Sequence, residues 1–158
     1  MIITARGHEP TSIKNTVKWI IDNYLNNIQK NKMLLNLERF NKLFNIDINN
    51  LSDNDIINNY LNICDFIGIS SQYFIKNFNN NSNSVKPEDG KALAIKYFVN
   101  KINEYGKILN VNISVGFSDD DLKTINHIYS YIQNKLSFEY PIKYKVYHTQ
   151  NGIKEITF

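Results

Sequence analysis

A chain of 158 residues with 42% hydrophobic and 13% aromatic side chains carries enough apolar material for a real core, so one domain spanning 1–158 is expected. Its net charge of +3 comes from scattered lysines and not from a basic block, which argues against nucleic acid as a partner. No apolar run approaches the ~20 residues that span a bilayer, no signal-peptide pattern follows Met1, and the single Cys64 excludes an internal disulfide or a multi-cysteine zinc site; a soluble cytoplasmic protein is the expectation.

Read in chain order, Ile2 to Thr4 is the end of a buried strand that runs directly into a turn. Pro10 to about Asn27 is a helix, with Pro10 near its first turn and Ile13, Val17, Ile20, Ile21 and Leu25 on one face. A second helix is expected from Lys32 to Phe44, where Leu34, Leu37, Phe40, Leu43 and Phe44 recur at helical spacing. Ser52 caps a third, with Asp53 and Asp55 in its first turn, favoured there by the helix dipole. Residues 28–62 are therefore a helical crossover or a small cap. Ile63 to Ile69 reads as a strand, and 77–85 as an Asn-rich flexible loop. Pro87 and Glu88 open a long helix that stops near Gly106 or shortly after. Val111 to Phe117 is a strand and Asp121 to about Asn134 a helix. Ile142–Tyr147 and Ile153–Phe158 form a C-terminal hairpin around the favoured turn pair Asn151-Gly152. Asparagine makes up about a sixth of the chain, as in proteins of AT-rich genomes, and names no chemistry. The aromatic residues Trp19, Tyr24, Phe40, Phe44, Tyr97, Phe98 and Tyr105 fall on helical faces at core spacing.

Strands alternating with helices of ten or more residues argue for crossover connections, hence an α/β fold: a three-layer, Rossmann-like, mainly parallel sheet with helices on both faces. Ligands bind such sheets beyond the carboxyl ends of the strands. The residues at those ends are Thr4-Ala5-Arg6-Gly7, Ser70-Ser71 and Ser118-Asp119-Asp120-Asp121. Adjacent carboxylates repel and raise one another's pKa, so Asp119 to Asp121 need a counter-charge. A hard divalent ion such as Mg²⁺ would supply it; alternatively the aspartates cap and open the following helix. Thr4, with backbone amides at a helix start, suits a phosphate.

These residues carry a resemblance to a known family. Ile2-Ile3-Thr4-Ala5-Arg6-Gly7 resembles the second signature motif of the haloacid dehalogenase-like phosphohydrolases, and Val115-Gly116-Phe117-Ser118-Asp119-Asp120-Asp121 resembles their fourth, acidic motif. Lys86, in a Lys-Pro pair, and Lys91, in Gly90-Lys91-Ala92-Leu93, both match the lysine of the third. The resemblance runs from Met1 to about His127. It implies phosphoryl transfer through an aspartyl-phosphate, with Thr4 and the Ala5 amide on the phosphoryl group, Lys86 or Lys91 supplying positive charge, and Mg²⁺ held among Asp119, Asp120 and Asp121, with Asp120 and Asp121 the first choices. Arg6 would face an anionic substrate or make a surface ion pair. A phosphorylated small molecule or protein is the implied partner.

The family's nucleophile pair, Asp-x-Asp after an apolar central strand, should precede Thr4. Asp47-Ile48-Asn49 is an imitation that fails, because Asn49 cannot move a proton. The resemblance therefore implies a first strand missing from these residues, exposed strand edges open to self-association, and a chain inactive as it stands. The alternative is a non-enzymatic relic of the same fold acting as a binding or scaffolding module. His8, His127 and His148 show no metal-ligand spacing, and Ser70-Ser71 lacks the glycines of a nucleophile elbow.

Overall fold

A computed structural model describes residues 1–78, 86–150, 152 and 154–156. The chain divides into two compact units, Met1–Asn80 and Asn81–Phe158. It is a mixed α/β protein in which each unit holds a small sheet built on a parallel strand pair.

In the first unit the order is β1 (Ile2–Thr4), α1 (Pro10–Tyr24), α2 (Asn27–Phe44), α3 (Asp53–Ile63), β2 (Phe66–Gly68) and α4 (Gln72–Phe78). Strands β1 and β2 pair in parallel, Ile2 with Phe66 and Thr4 with Gly68, so the long crossover between them is helical as expected. The boundary between the first two helices differs from the expected one. Leu25 leaves helical geometry and Asn26 caps α2 in a reciprocal box: the Gln29 amide donates to Asn26 Oδ1 and the Asn26 amide to Gln29 Oε1, both at 3.0 Å. Helix α2 thus starts at Asn27, five residues before the apolar periodicity does. Ser52 and Asp55 form a second such box at the start of α3, which runs to Ile63 and shortens the expected strand to three residues. Ser71 caps α4, a helix that periodicity missed because it is only seven residues long.

Apolar positions of the three long helices close the core of this unit: Ile21 from α1, Met33 and Leu37 from α2, Ile56, Ile57 and Leu61 from α3, with Phe66 from the sheet. The same stripe fails at its edges. Trp19, Ile20 and Tyr24 are 55%, 43% and 70% exposed, so core packing is not their role. Position 21 faces inward, Trp19 and Ile20 one or two steps before it turn outward, and Tyr24 is the last residue of α1.

The second unit contains α5 (Pro87–Leu109), β3 (Ser114–Asp119), α6 (Leu122–Tyr131), a π-helical turn (Ile132–Leu136), α7 (Ser137–Glu139), β4 (Lys143–His148) and β5 (Lys154–Ile156). Strands β3 and β4 are parallel, Ser114 opposite Lys143 and Asp119 opposite His148. Strand β5 adds antiparallel to β4, with Val146 opposite Ile156, as a C-terminal hairpin requires. Asn151 and Ile153 lie outside the described residues, and so do 79–85 of the Asn-rich loop. Helix α5 passes through Gly106 and ends at Asn110, which takes the left-handed conformation (φ 53°) more often filled by glycine. Gly106 has another duty: a methyl group there would run into the Ile113 side chain. Ile95, Val99, Val115, Ile125, Ile128, Leu136 and Val146 are all buried. Among the described residues no helix is long and apolar enough to cross a membrane.

Candidate functional site

Parallel pairing places the ends of β1 and β2 side by side. The Ile69 amide donates to the Thr4 carbonyl (3.0 Å), and the Ser70 hydroxyl to the Ala5 carbonyl (2.9 Å). The turn after β1 folds back over β2 at Gly68, where any side chain would collide with the Arg6 and His8 carbonyls. This close approach fixes the course of Thr4-Ala5-Arg6-Gly7-His8. Thr4 Oγ1 accepts from the Arg6 amide at a long 3.3 Å, and its own hydroxyl proton stays free to donate. The Arg6 and His8 side chains are exposed and have no hydrogen bond or ion pair among the described residues. Two of the three strand-end segments, Thr4–Gly7 and Ser70-Ser71, are thus brought together within the first unit; Ser71 is buried as a helix cap.

The second unit contains the lysines and the acidic triplet. Lys91 lies in the second turn of α5 and points to the end of β3, where its Nζ donates to Asp119 Oδ2 at 2.6 Å; the two side chains are only 11% and 12% exposed. Lys86 is exposed, immediately before Pro87 at the start of the same helix, and is not part of this pair. The three aspartates are unlike one another. Asp119 is half-buried, and its other oxygen accepts from the Asp121 amide at 3.0 Å. Asp120 is exposed with a carboxylate free of partners among the described residues, while its carbonyl lies 3.1 Å from His148 Nε2 on the neighbouring strand. Asp121 is the N-cap of α6: it accepts from the amides of Lys123 and Thr124, both at 3.1 Å, and from the Thr124 hydroxyl at 2.6 Å. That hydroxyl, more than any other contact, holds the Asp121 carboxyl below its usual pKa. Glu88 and Asp89, in the first turn of α5, reach Lys123 and His127 of α6 and tie the two helices around this point.

Mg²⁺ takes one or two protein carboxylates and completes its shell with water or phosphate oxygens. Asp120, exposed at the strand end with a free carboxylate, fits that donor set. Asp119 and Asp121 could join it only by sharing oxygens that already accept hydrogen bonds, from Lys91 and the Asp121 amide in the one and from the start of α6 in the other. Among the described residues no three His, Cys, Asp or Glu side chains gather into a larger metal group.

Two segments carry the Asp-x-Asp spacing of a nucleophile and its acid–base partner, and in both the second carboxylate is already engaged. Asp53-Asn54-Asp55, which the motif reading passed over, opens α3; Asp55 accepts from the Ser52 amide and hydroxyl. In Asp119-Asp120-Asp121 the cap on Asp121 depresses its pKa, the wrong direction for a general acid near neutral pH. Asp47 Oδ1 accepts from the amide and side chain of Asn49 and closes a local turn.

His148 is the residue that motif reasoning left out: it lies 21 residues beyond the resemblance's end at His127, and only the parallel register of β4 with β3 brings it beside Asp120. Comparison with known proteins gave no match of this chain to any family model, curated protein or solved structure.

Proposed function

We propose that this chain is a phosphohydrolase-type α/β protein of the haloacid dehalogenase-like kind, with a three-layer parallel sheet in a complete relative, and that its described residues bind phosphate and Mg²⁺ without turning a phosphate ester over. The observation that carries this reading is the Lys91–Asp119 pair. A lysine and an aspartate 28 residues apart, both nearly buried, meet at the carboxyl end of a parallel strand, beside a second carboxylate that is free. Asp120, exposed to water, could add its carboxylate to a cation held there.

In this reading Asp119 and Asp120 of the second unit hold Mg²⁺, with Lys91 orienting Asp119. Within the first unit, taken by itself, Thr4 would donate its hydroxyl proton to a phosphate oxygen, with the Ala5 amide beside it. Asp121 keeps the start of α6 in place. No Asp-x-Asp in the described chain leaves a second carboxylate able to shuttle a proton, so the covalent route has no acid–base partner.

The test has two arms on the full chain. Inorganic phosphate should bind more tightly with Mg²⁺ than without, and Asp119→Asn should remove that difference. Hydrolysis of p-nitrophenyl phosphate should stay at background. A phosphate affinity that Mg²⁺ leaves unchanged, or a Mg²⁺ effect that survives Asp119→Asn, would overturn the first part, and turnover abolished by Thr4→Val would overturn the second.

A further inference from the structure

We infer that the outward face of α2, with the corner that joins it to α1, is a docking surface for an anionic lipid bilayer. The surface is a stripe that the core of the first unit leaves over. Met33 and Leu37 turn inward, Leu37 fully buried. At 3.6 residues per turn, Ile28, Lys32, Leu35, Arg39 and Lys42 all fall within about 80° of arc on the side opposite Leu37. All five are exposed, Ile28 by 71% and Leu35 by 54%. The one carboxylate of α2, Glu38, lies outside that arc. The side chains of Lys32, Arg39 and Lys42 have no hydrogen bond or ion pair among the described residues. Three uncompensated cations thus flank two aliphatic side chains along an 18-residue helix.

Exposed apolar surface continues across the corner. Tyr24 ends α1, and Ile28 stands in the first turn of α2. Trp19, Ile20 and Tyr24 are all exposed, and the Trp19 and Tyr24 rings meet edge to face with centroids 5.6 Å apart. The charged side chains of α1 lie on another side of the helix, where Lys14 and Lys18 donate to Asn62 and Asn54 of α3 and Lys18 also pairs with Asp22. Charge and apolar surface are therefore sorted on α1 and interleaved on α2.

An anionic bilayer matches this arrangement position by position. Lys32, Arg39 and Lys42 can lay their methylene stems along the acyl boundary and keep their charges among anionic headgroups. Ile28 and Leu35, between them, enter the apolar layer, and tryptophan and tyrosine favour the interface itself. A helix lying in that plane needs no membrane-spanning length. Nucleic acid would take the cations but has no use for the aliphatic pair, because bases stack on aromatic rings. A second copy seated on the same face would set the three cations against themselves. The surface belongs to the first unit and does not depend on the reading of Lys91, Asp119 and Asp120.

Cosedimentation of the full chain with vesicles in magnesium-free buffer tests the surface, with the emission of Trp19, the single tryptophan, as a second readout. Vesicles of phosphatidylcholine and phosphatidylserine in equal parts should bind the chain, move its emission to shorter wavelength and release it as salt is raised. Vesicles of phosphatidylcholine alone should leave it in solution. Lys32→Gln, Arg39→Gln and Lys42→Gln should each weaken binding about fivefold, the scale of one basic residue at such a surface. Leu35→Gln should weaken it about tenfold through lost apolar burial. Glutamine suits a helix as well as the residues it replaces, and the positions are exposed, so circular dichroism should be unchanged. Lys135→Gln, which removes the same charge from an exposed site in the second unit, should bind as wild type does. No binding to the mixed vesicles, equal binding to neutral ones, an unmoved emission in the bound chain, or Lys135→Gln as damaging as Arg39→Gln would each overturn the inference. A chain that ignores both vesicles and binds polyuridylate would assign the stripe to nucleic acid and overturn it as well.

Discussion

Removing Asp119 is the perturbation whose energetic consequence follows most directly from the structure. At 2.6 Å and an effective dielectric constant near 20, the attraction between Lys91 and Asp119 is about 6 kcal/mol. Desolvating two side chains that keep only a tenth of their exposure offsets most of it, so the pair's net stabilisation is small. Breaking the pair from one side is a different matter. Asp119→Ala leaves the Lys91 ammonium covered without a counter-charge and removes the acceptor of the Asp121 amide, at a cost of about 3 kcal/mol. Asp119→Asn keeps an acceptor for that amide and should cost about 2 kcal/mol. Adding Lys91→Met to Asp119→Asn removes the stranded charge, and the double variant should return to within about 1 kcal/mol of wild type. Urea unfolding followed by amide exchange in β3 and β4 reads these values where the pair sits; Trp19, the chain's single tryptophan, reports on the other unit. An Asp119→Ala chain as stable as wild type, or a double variant no better than Asp119→Asn, would refute the reasoning.

Gly68→Ala should destabilise the first unit by about 2 kcal/mol or more, since the new methyl meets backbone carbonyls that cannot swing aside; melting curves, with shift changes confined to Thr4–His8, check it. Phe74→Ala empties a fully buried site on α4 and should cost about 3 to 5 kcal/mol in the same melting experiment. Tyr144 is pushed up to about 12 by burial, and its hydroxyl donates to the Tyr140 carbonyl; its stabilisation is complete below the ordinary tyrosine pKa of about 10 and fades as pH rises towards 12, so Tyr144→Phe should flatten the stability profile across that window. Asp121 carries the opposite sign. Its lowered pKa means that the cap on α6 acts in full above about pH 4 and weakens as pH falls through the depressed value, so a melting temperature measured against pH should drop less steeply on acidification in Asp121→Asn.

The long apolar stripes were legible because burial selects them: Ile21 and Leu37 are buried where helical periodicity puts the core, and Ile67, Val115 and Val146 are buried in expected strands. Starts and stops followed local chemistry that periodicity does not weigh. The Asn26–Gln29 box divides one expected helix boundary differently, and asparagine at 45 and 110 ends helices where glycine is the usual signal. For the site, sequence spacing brought forward Lys91 and Asp119 but could not separate Lys91 from Lys86, because the choice depends on which lysine lies one turn inside α5 and faces β3. The resemblance's preference for Asp120 and Asp121 as metal ligands took no account of local capping. Only the hydrogen bonds of Asp121 to Lys123 and Thr124 show that this third aspartate is a cap, and only strand register brings His148 to Asp120.

The central claim is that Asp119 and Asp120 form a cation site, and the heat stability of the full chain measured against Mg²⁺ concentration tests it most directly. A ligand that binds only the folded state at 100 times its Kd stabilises by about 2.7 kcal/mol, a shift of several degrees for a domain of this size. That rise is expected in wild type and in Asp53→Asn, which alters an acidic residue in the other unit, and is expected to be lost in Asp120→Asn. A melting temperature unchanged at saturating Mg²⁺, or a rise that survives in Asp120→Asn, would contradict it.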